Sequence, residues 1–249
     1  MRQLVAEWHK HFTRQANWTT RVRKYLLDRA NLPKGAKVLE VGSGSGALLT
    51  DPLFAPYDMH GVDLDLERLQ YGKEMFKETK MISANGYQLP FDAQSFDLVY
   101  CHYLLLWCKD PQAILNEMYR VCKKGGYVSS FGEPDYNSRI DYPEVYEKLG
   151  RLQNHSLEFQ GVNLSIGRRM GDLFISTGLS QVNIGVIGFE RMKQSMEDFE
   201  NEWELIAYDL GGLVPLDDIL ELRAEAKKLW TEGRSTLFIP TFYAFGVKN

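Results

Sequence analysis

The stretch Val38-Leu39-Glu40-Val41-Gly42-Ser43-Gly44-Ser45-Gly46-Ala47-Leu48-Leu49 reads as a strand that turns sharply into a helix. A β-branched and aliphatic run ends in glycines at alternate positions, and an apolar stretch follows. Glycine admits positive φ and lets the backbone approach a ligand that a Cβ would strike. The N–H groups at the start of the ensuing helix suit a carboxylate or phosphate. The pattern points to a nucleotide held at a strand end.

Around this turn, from residue 36 onward, short apolar strands alternate with amphipathic helical stretches, which predicts a parallel sheet covered by helices. Strands are expected near 36–41, 57–62, 80–84, 96–101 and 125–131, and helical stretches near 46–54, 65–78 and 110–122. The last helix is well marked: Asp110 sits at a capping position, Pro111 suits the first turn, and Ile114, Leu115, Met118, Tyr119 and Cys122 form an apolar face. After Glu133-Pro134-Asp135 the alternation weakens. Residues 143–177 and 195–230 read as mainly helical, 180–190 as a strand and 236–247 as a closing strand. Residues 1–34 read as an N-terminal helical cap that ends at Asn31-Leu32-Pro33-Lys34-Gly35, leaving 35–249 as a single unit with helical insertions.

The glycines alone do not name the ligand, because Gly42, Gly44 and Ala47 also satisfy a dinucleotide fingerprint. Glu40, two residues before the first glycine, argues otherwise: its carboxylate would repel a pyrophosphate and welcome a cationic group. Asp63 in Gly61-Val62-Asp63-Leu64-Asp65 stands about 20 residues further on, where a carboxylate reaches paired ribose hydroxyls. A third segment, Asn85-Gly86-Tyr87-Gln88-Leu89-Pro90-Phe91-Asp92-Ala93-Gln94-Ser95-Phe96-Asp97-Leu98-Val99, completes the set.

Together with Met118-Tyr119-Arg120-Val121-Cys122-Lys123-Lys124-Gly125-Gly126, these residues resemble the class I S-adenosylmethionine-dependent methyltransferases, in particular the small-molecule branch of the ubiquinone and menaquinone enzymes, over residues 36–134. The resemblance implies an α/β, doubly wound, mostly parallel seven-stranded sheet. Its last strand, 236–247, is antiparallel and inserted beside the fifth, with helical lid additions. It implies S-adenosyl-L-methionine as cofactor and S-adenosyl-L-homocysteine as product. Glu40, Gly42, Ser43 and Gly44 would hold the methionine part, Asp63 the ribose, Leu64 the adenine face, and Asn85 and Gly86 the adenine edge. Where the family commonly has Asp this chain has Asn85, whose amide carbonyl still accepts a hydrogen bond. Cys101, at the end of the fourth strand, joins the cofactor-contacting candidates, while it and Cys108 also read as apolar packing residues. Each assignment has a structural rival: Glu40 as a satisfied strand-end acid, Asp63 as a helix cap, and Asn85-Gly86 as a turn.

Methyl transfer from a sulfonium needs a positioned nucleophile and an absence of water more than it needs a base. His102, directly after the fourth strand, is the first candidate for a base or substrate contact, with Glu133 and Asp135 second. There is no Asn/Asp-Pro-Pro-aromatic sequence after that strand, as in enzymes that methylate amide or adenine amino nitrogens, and no Pro-Cys nucleophile as in cytosine C5-methyltransferases. A lid could draw on Tyr142, Tyr146, Phe159, Phe174, Trp203, Tyr208 and Trp230, and on the N-terminal Trp8, Phe12, Trp18 and Tyr25, although most of these also suit a core.

Charge bounds the partners. With a net charge of −4, the 249-residue chain lacks the overall basic character of a nucleic-acid binder, although its first 34 residues are basic. That segment could dock on the acidic run from Glu197 to Glu204 or cap an anionic end of the cofactor. The cysteines Cys101, Cys108 and Cys122 form no CxxC pair, so reduced thiols, no metal site and a cytoplasmic location are expected. No signal peptide or membrane insertion is expected either. A small-molecule acceptor, methylated on O, N or C, is the leading reading. An RNA or protein methyltransferase, a catalytically silent cofactor-binding subunit and an NAD-dependent oxidoreductase are the alternatives.

Overall fold

The computed structural model describes residues 2–188, 195–210 and 214–249. In chain order the elements are α1 (Arg2–Trp18), α2 (Thr20–Ala30), β1 (Lys37–Val41), β2 (Asp58–Asp63), α3 (Leu66–Met75), β3 (Lys80–Ser83), β4 (Phe96–Cys101), α4 (Pro111–Val121) and β5 (Cys122–Pro134). They continue with β6 (Ile140–Tyr142), α5 (Glu144–Phe159), α6 (Met170–Ser176), β7 (Ser180–Ile187), α7 (Met196–Leu210), α8 (Leu216–Thr231), β8 (Thr236–Phe238) and β9 (Thr241–Val247). The expected strand end at 189–190 and the expected helical residues 211–213 lie outside the described residues.

Among the described residues seven strands form one sheet in the order β3-β2-β1-β4-β5-β9-β7. Pairings β1–β2, β1–β4, β2–β3 and β4–β5 are parallel, and β9 runs antiparallel to both β5 and β7. The order reverses between β2 and β4 at β1, the switch point at which doubly wound folds bind ligands beyond the strand ends. The single strand expected over 236–247 is two. Ile239-Pro240 separates β8, which pairs with β6 in a small ribbon, from β9 in the main sheet. Proline cannot donate to a ladder and so marks the break.

Alternation along the strands sorts side chains to two cores. Leu39, Val41, Val99 and Cys101 face the cluster packed by Ile114, Leu115 and Met118 of α4 and Leu173 and Phe174 of α6. Val38, Leu98 and Tyr100 face the opposite cluster with Leu26, Leu27 and Ala30 of α2 and Phe54. A third cluster joins α5, α7 and α8 through Tyr146, Leu149, Phe199, Trp203 and Trp230. No helix of the described residues is long and apolar enough to cross a membrane.

The helix expected over 46–54 is absent. Residues 44–50 form successive turns and only Pro52–Phe54 makes a short 3-10 turn. Gly46 sits at φ +81°, which breaks a right-handed helix at its start, and Asp51 before Pro52 is extended at ψ 130°. The helix N-terminus expected beside the ligand is therefore replaced by loop backbone.

Candidate active site

At the carboxyl ends of β1, β2 and β4 lies a cleft of about 460 Å³, walled by Glu40, Gly42, Ser43, Gly44, Asp63 and His102 below and by residues of α1, α5 and α7 above. This volume is within the usual range for small-ligand sites. Gly42 sits at φ +78°, a backbone conformation that L side chains rarely adopt, and a Cβ there would also press on Leu104 Cδ1 at 2.8 Å. The Gly42 and Ser43 amides both donate to Val62 O, at 2.8 and 2.9 Å, which ties the loop to β2.

Asp63 draws the loop inward. Its Oδ2 accepts from Gly44 N at 2.6 Å and its Oδ1 from Asp65 N at 2.9 Å. The cap of α3 is Asp65 instead, whose Oδ1 accepts from Glu67 N and Arg68 N. Asp63 thus stays at the cleft rather than at the helix start.

Glu40 is 3% exposed and points to the α2 side of the sheet, with Tyr100 as its register partner. Burial pushes its carboxyl well above the usual range, against the pull of the Tyr100 hydroxyl. Asp63 adds to the rise and Arg23 opposes it. Glu40 Oε2, Tyr100 OH and Ser43 Oγ are all buried, and beyond the proximity of Glu40 and Tyr100 to each other none has a hydrogen-bond partner among the described residues. Orphaned oxygens of this kind are costly unless a ligand supplies donors. Two acid groups, Glu40 and Asp63, in one cleft fit a ligand whose ammonium group would hold Glu40 ionised and whose ribose hydroxyls would meet Asp63, not a pyrophosphate.

The cleft roof is aromatic. Trp8 stacks on Phe12 with centroids 5.6 Å apart and meets Tyr208 of α7 edge-on at 4.4 Å. Arg68 of α3 lies over both Trp8 and Phe12, at 5.9 and 5.2 Å. His9 Nδ1 is 2.9 Å from Ser45 Oγ, and Arg14 pairs with Glu204 at 3.1 Å, so the basic N-terminal segment does dock on the acidic helix. Trp18 and Tyr25 stand outside, about half exposed. Among the other aromatics weighed for a lid, Tyr208 lines the cleft. Tyr146, Phe174, Trp203 and Trp230 are buried core, and Tyr142 and Phe159 are exposed away from it.

His102 lines the cleft with Nε2 3.0 Å from Thr19 Oγ1. Burial, and then the Arg23 charge, lower its pKa to about 3, so the imidazole is neutral and a weak base. Glu133 and Asp135 do not face the cleft. Glu133 is fully buried and accepts from Leu104 N, Leu105 N and Leu106 N at 3.0, 2.9 and 3.1 Å, capping the turn after β4. Asp135 holds Arg168 through Nε at 2.6 Å and Nη2 at 2.7 Å. Their partners make both acids structural, so neither serves as the base or substrate contact expected from sequence.

Cys101 is also displaced from the wall. It is the register partner of Val41, on the α4 side, and its thiol is wholly buried with its pKa raised by burial. Leu64, 71% exposed, is an uncovered apolar surface at the outer end of β2. Asn85 is exposed and its Oδ1 accepts from Tyr87 N at 3.0 Å, while Gly86 packs so tightly that a Cβ would lie 3.0 Å from Ile114 Cδ1. Sequence reasoning missed His11, Gln160 and Asp209, all of which line the cleft. None of the three lies in a motif, and Asp209 sits in an amphipathic helix where an acid reads as surface.

Residues 39–130 match the family described as a methyltransferase domain. Over these residues the chain carries a methyltransferase domain of the class I S-adenosylmethionine-dependent kind. An uncharacterised methyltransferase of Schizosaccharomyces pombe is 30% identical over 180 residues, 67% of this chain and 62% of the relative, so the chain spans about three-fifths of that protein. A demethylmenaquinone methyltransferase of Anoxybacillus flavithermus is 26% identical over 200 residues, 70% of this chain and 80% of the relative. In fold, the chain is similar to an S-adenosylmethionine-dependent methyltransferase of Thermotoga maritima with TM-score 0.61 and 17% identity, covering 100% of this chain and 98% of that one. S-adenosylmethionine is the cofactor of this methyltransferase family, and the orphaned oxygens of Glu40 and Ser43 fit its amino acid part.

Proposed function

We propose that the protein transfers a methyl group from S-adenosylmethionine to an O, N or C atom of a small molecule. The observation that carries this reading is the buried Glu40 carboxylate, with Oε2 unpartnered, opening into the same cleft as Asp63. In this reading Glu40, Gly42, Ser43 and Gly44 hold the methionine part, Asp63 the ribose, Leu64 a face of the adenine and Asn85 and Gly86 its edge. Cys101 supports this floor from the core behind it. Residues 1–34 act as a cap on the catalytic unit 35–249.

When bound, S-adenosylmethionine would supply an electrophilic methyl carbon whose bonding electrons leave with sulfur, and the acceptor's displaced proton would pass to solvent, since His102 is too weak a base to hold it. The chain's own residues align and enclose. The glycine loop leaves room for close approach, Trp8 and Phe12 exclude water, and His102 contacts the acceptor as a neutral group. A cleft roofed by α1 and α7 favours a small acceptor over RNA or a folded protein, and the demethylmenaquinone enzyme among the relatives agrees with that class.

Calorimetric titration with S-adenosylmethionine, S-adenosylhomocysteine and NAD tests the donor. Binding of NAD alone would refute the reading. Incubation with labelled cofactor and a metabolite extract, followed by identification of the labelled product, tests the acceptor class, and label found only in RNA or protein would exclude a small molecule.

A further inference from the structure

At the upper wall of the cleft α7 places Asp209, a residue only 6% exposed that nevertheless lines the cavity. Its Oδ2 accepts from Gln153 Nε2 at 2.7 Å. That amide is oriented in turn, because Gln153 Oε1 accepts from Arg139 Nη1 at 2.8 Å, and Arg139 is held by Asp141 and by Asn154 Oδ1. One oxygen of Asp209 is therefore fixed by a relay of side chains running from β6 through α5. Among the described residues no hydrogen bond uses the other, Oδ1.

With Oδ2 committed to Gln153, the carboxylate of a residue that lines the cavity keeps Oδ1 as an acceptor for a ligand donor. Its surroundings restrict which donor. Trp107, Tyr136, Leu157 and Tyr208 add apolar and aromatic surface to the same cleft, the lining cation Arg68 lies over Trp8 and Phe12, and Arg139 stands behind Gln153 rather than in the cleft. Aromatic faces beside a carboxylate attract cations and repel anions.

We infer that Asp209 recognises the methyl acceptor, and that the cleft takes a small molecule presenting an ammonium or hydroxyl hydrogen to Asp209 Oδ1. This rests on the reading of the cleft as a methyl-donor site. Acceptors bearing only carboxylates are turned away by the same oxygen.

The test is titration calorimetry on the full chain saturated with S-adenosylhomocysteine, using 2-phenylethylamine, 2-phenylethanol and phenylacetate as probes of similar size. The amine or the alcohol binds at least about tenfold more tightly than phenylacetate, the tighter of the two showing whether an ammonium or a hydroxyl is preferred. Asp209→Asn brings the preference to within about threefold, while affinity for S-adenosylhomocysteine changes by less than about twofold. Equal affinities, no binding of any probe, or tighter binding of phenylacetate by the unaltered chain would overturn the inference without any variant having to fold. A preference that survives in Asp209→Asn would do the same. If the unaltered chain fails to bind S-adenosylhomocysteine, the methyl-donor reading falls and the acceptor inference with it, and that result is seen before any probe is added.

Discussion

Asp63 Oδ2 accepts a hydrogen bond from Gly44 N at 2.6 Å, joining the end of β2 to the loop that follows β1. The bond holds the loop in the shape that lines the cleft and sets the carboxylate at its floor. Asp63→Ala removes both the loop contact and the acceptor for ribose hydroxyls. Charge-assisted hydrogen bonds contribute about 1.5–3 kcal/mol, so affinity for S-adenosylhomocysteine falls roughly 10- to 100-fold. Asp63→Asn, which keeps one acceptor oxygen, loses less. Calorimetry measures both, and an unchanged affinity in Asp63→Ala would remove this residue from the cofactor site.

Arg23 of α2 makes a different kind of tie. It is 1% exposed, pairs with Asp51 and donates to Ala16 O and Thr19 Oγ1, so one guanidinium fastens both N-terminal helices to the segment after the glycine loop. Removing one partner of a buried pair leaves the other uncompensated, at a cost of about 3–5 kcal/mol. Because Asp51 keeps some access to water, Arg23→Ala lies at the lower end of that range. Urea unfolding checks it, and the double variant with Asp51→Asn costs less than the sum of the two single changes.

The parts of this fold that local chemistry determines were legible from sequence. Phe96–Cys101 was read to the residue, and Asp110-Pro111 fixed the start of α4, because period, cap and proline agreed there. The glycine loop misled in one respect. The apolar run Ala47-Leu48-Leu49 looked helical, but Gly46 at positive φ and the extended Asp51 before Pro52 left only turns. The acids at and just past the end of β5 were uninformative for another reason: Glu133 and Asp135 find their partners, the 104–106 amides and Arg168, through tertiary contacts with no sequence signature. Asp209 was hidden for the same reason, since its anchor Gln153 lies on another helix.

Glu133 gives stability a measurable slope with pH. Burial raises its carboxyl to about 7, against the pull of the Leu105, Leu104 and Leu106 amides. Below about pH 4.5 the group is protonated in both folded and unfolded chains. Between that value and about 7 the folded chain holds the proton and the unfolded chain does not, so stability falls as pH rises, by about 3 kcal/mol in all. Asp209, raised to about 6, adds a slope of the same sign. Glu133→Gln cannot titrate, and it leaves Asp209 unchanged, so the difference between variant and wild type isolates Glu133. That difference shifts in favour of the variant by about 2–3 kcal/mol between pH 5 and pH 8. Urea denaturation at both pH values measures it, and a constant difference would show that Glu133 ionises normally.

The N-terminal helix is held over the cleft by contacts of modest individual strength, which makes the roof separable from the floor. Trp8 stacks on Phe12 and meets Tyr208, and Phe12 is the nearest side chain above Gly44. Replacing both rings by alanine opens the cleft to water and removes aromatic surface that a sulfonium cation would face. Since the two residues are partly exposed and belong to neither principal core, stability changes little while cofactor affinity falls by about tenfold, or about 1.4 kcal/mol. The loss is larger for cationic S-adenosylmethionine than for neutral-sulfur S-adenosylhomocysteine, because only the former gains from the ring faces. Parallel titrations with the two ligands check this, and an equal loss for both would show that the rings act by excluding water rather than by facing the charge.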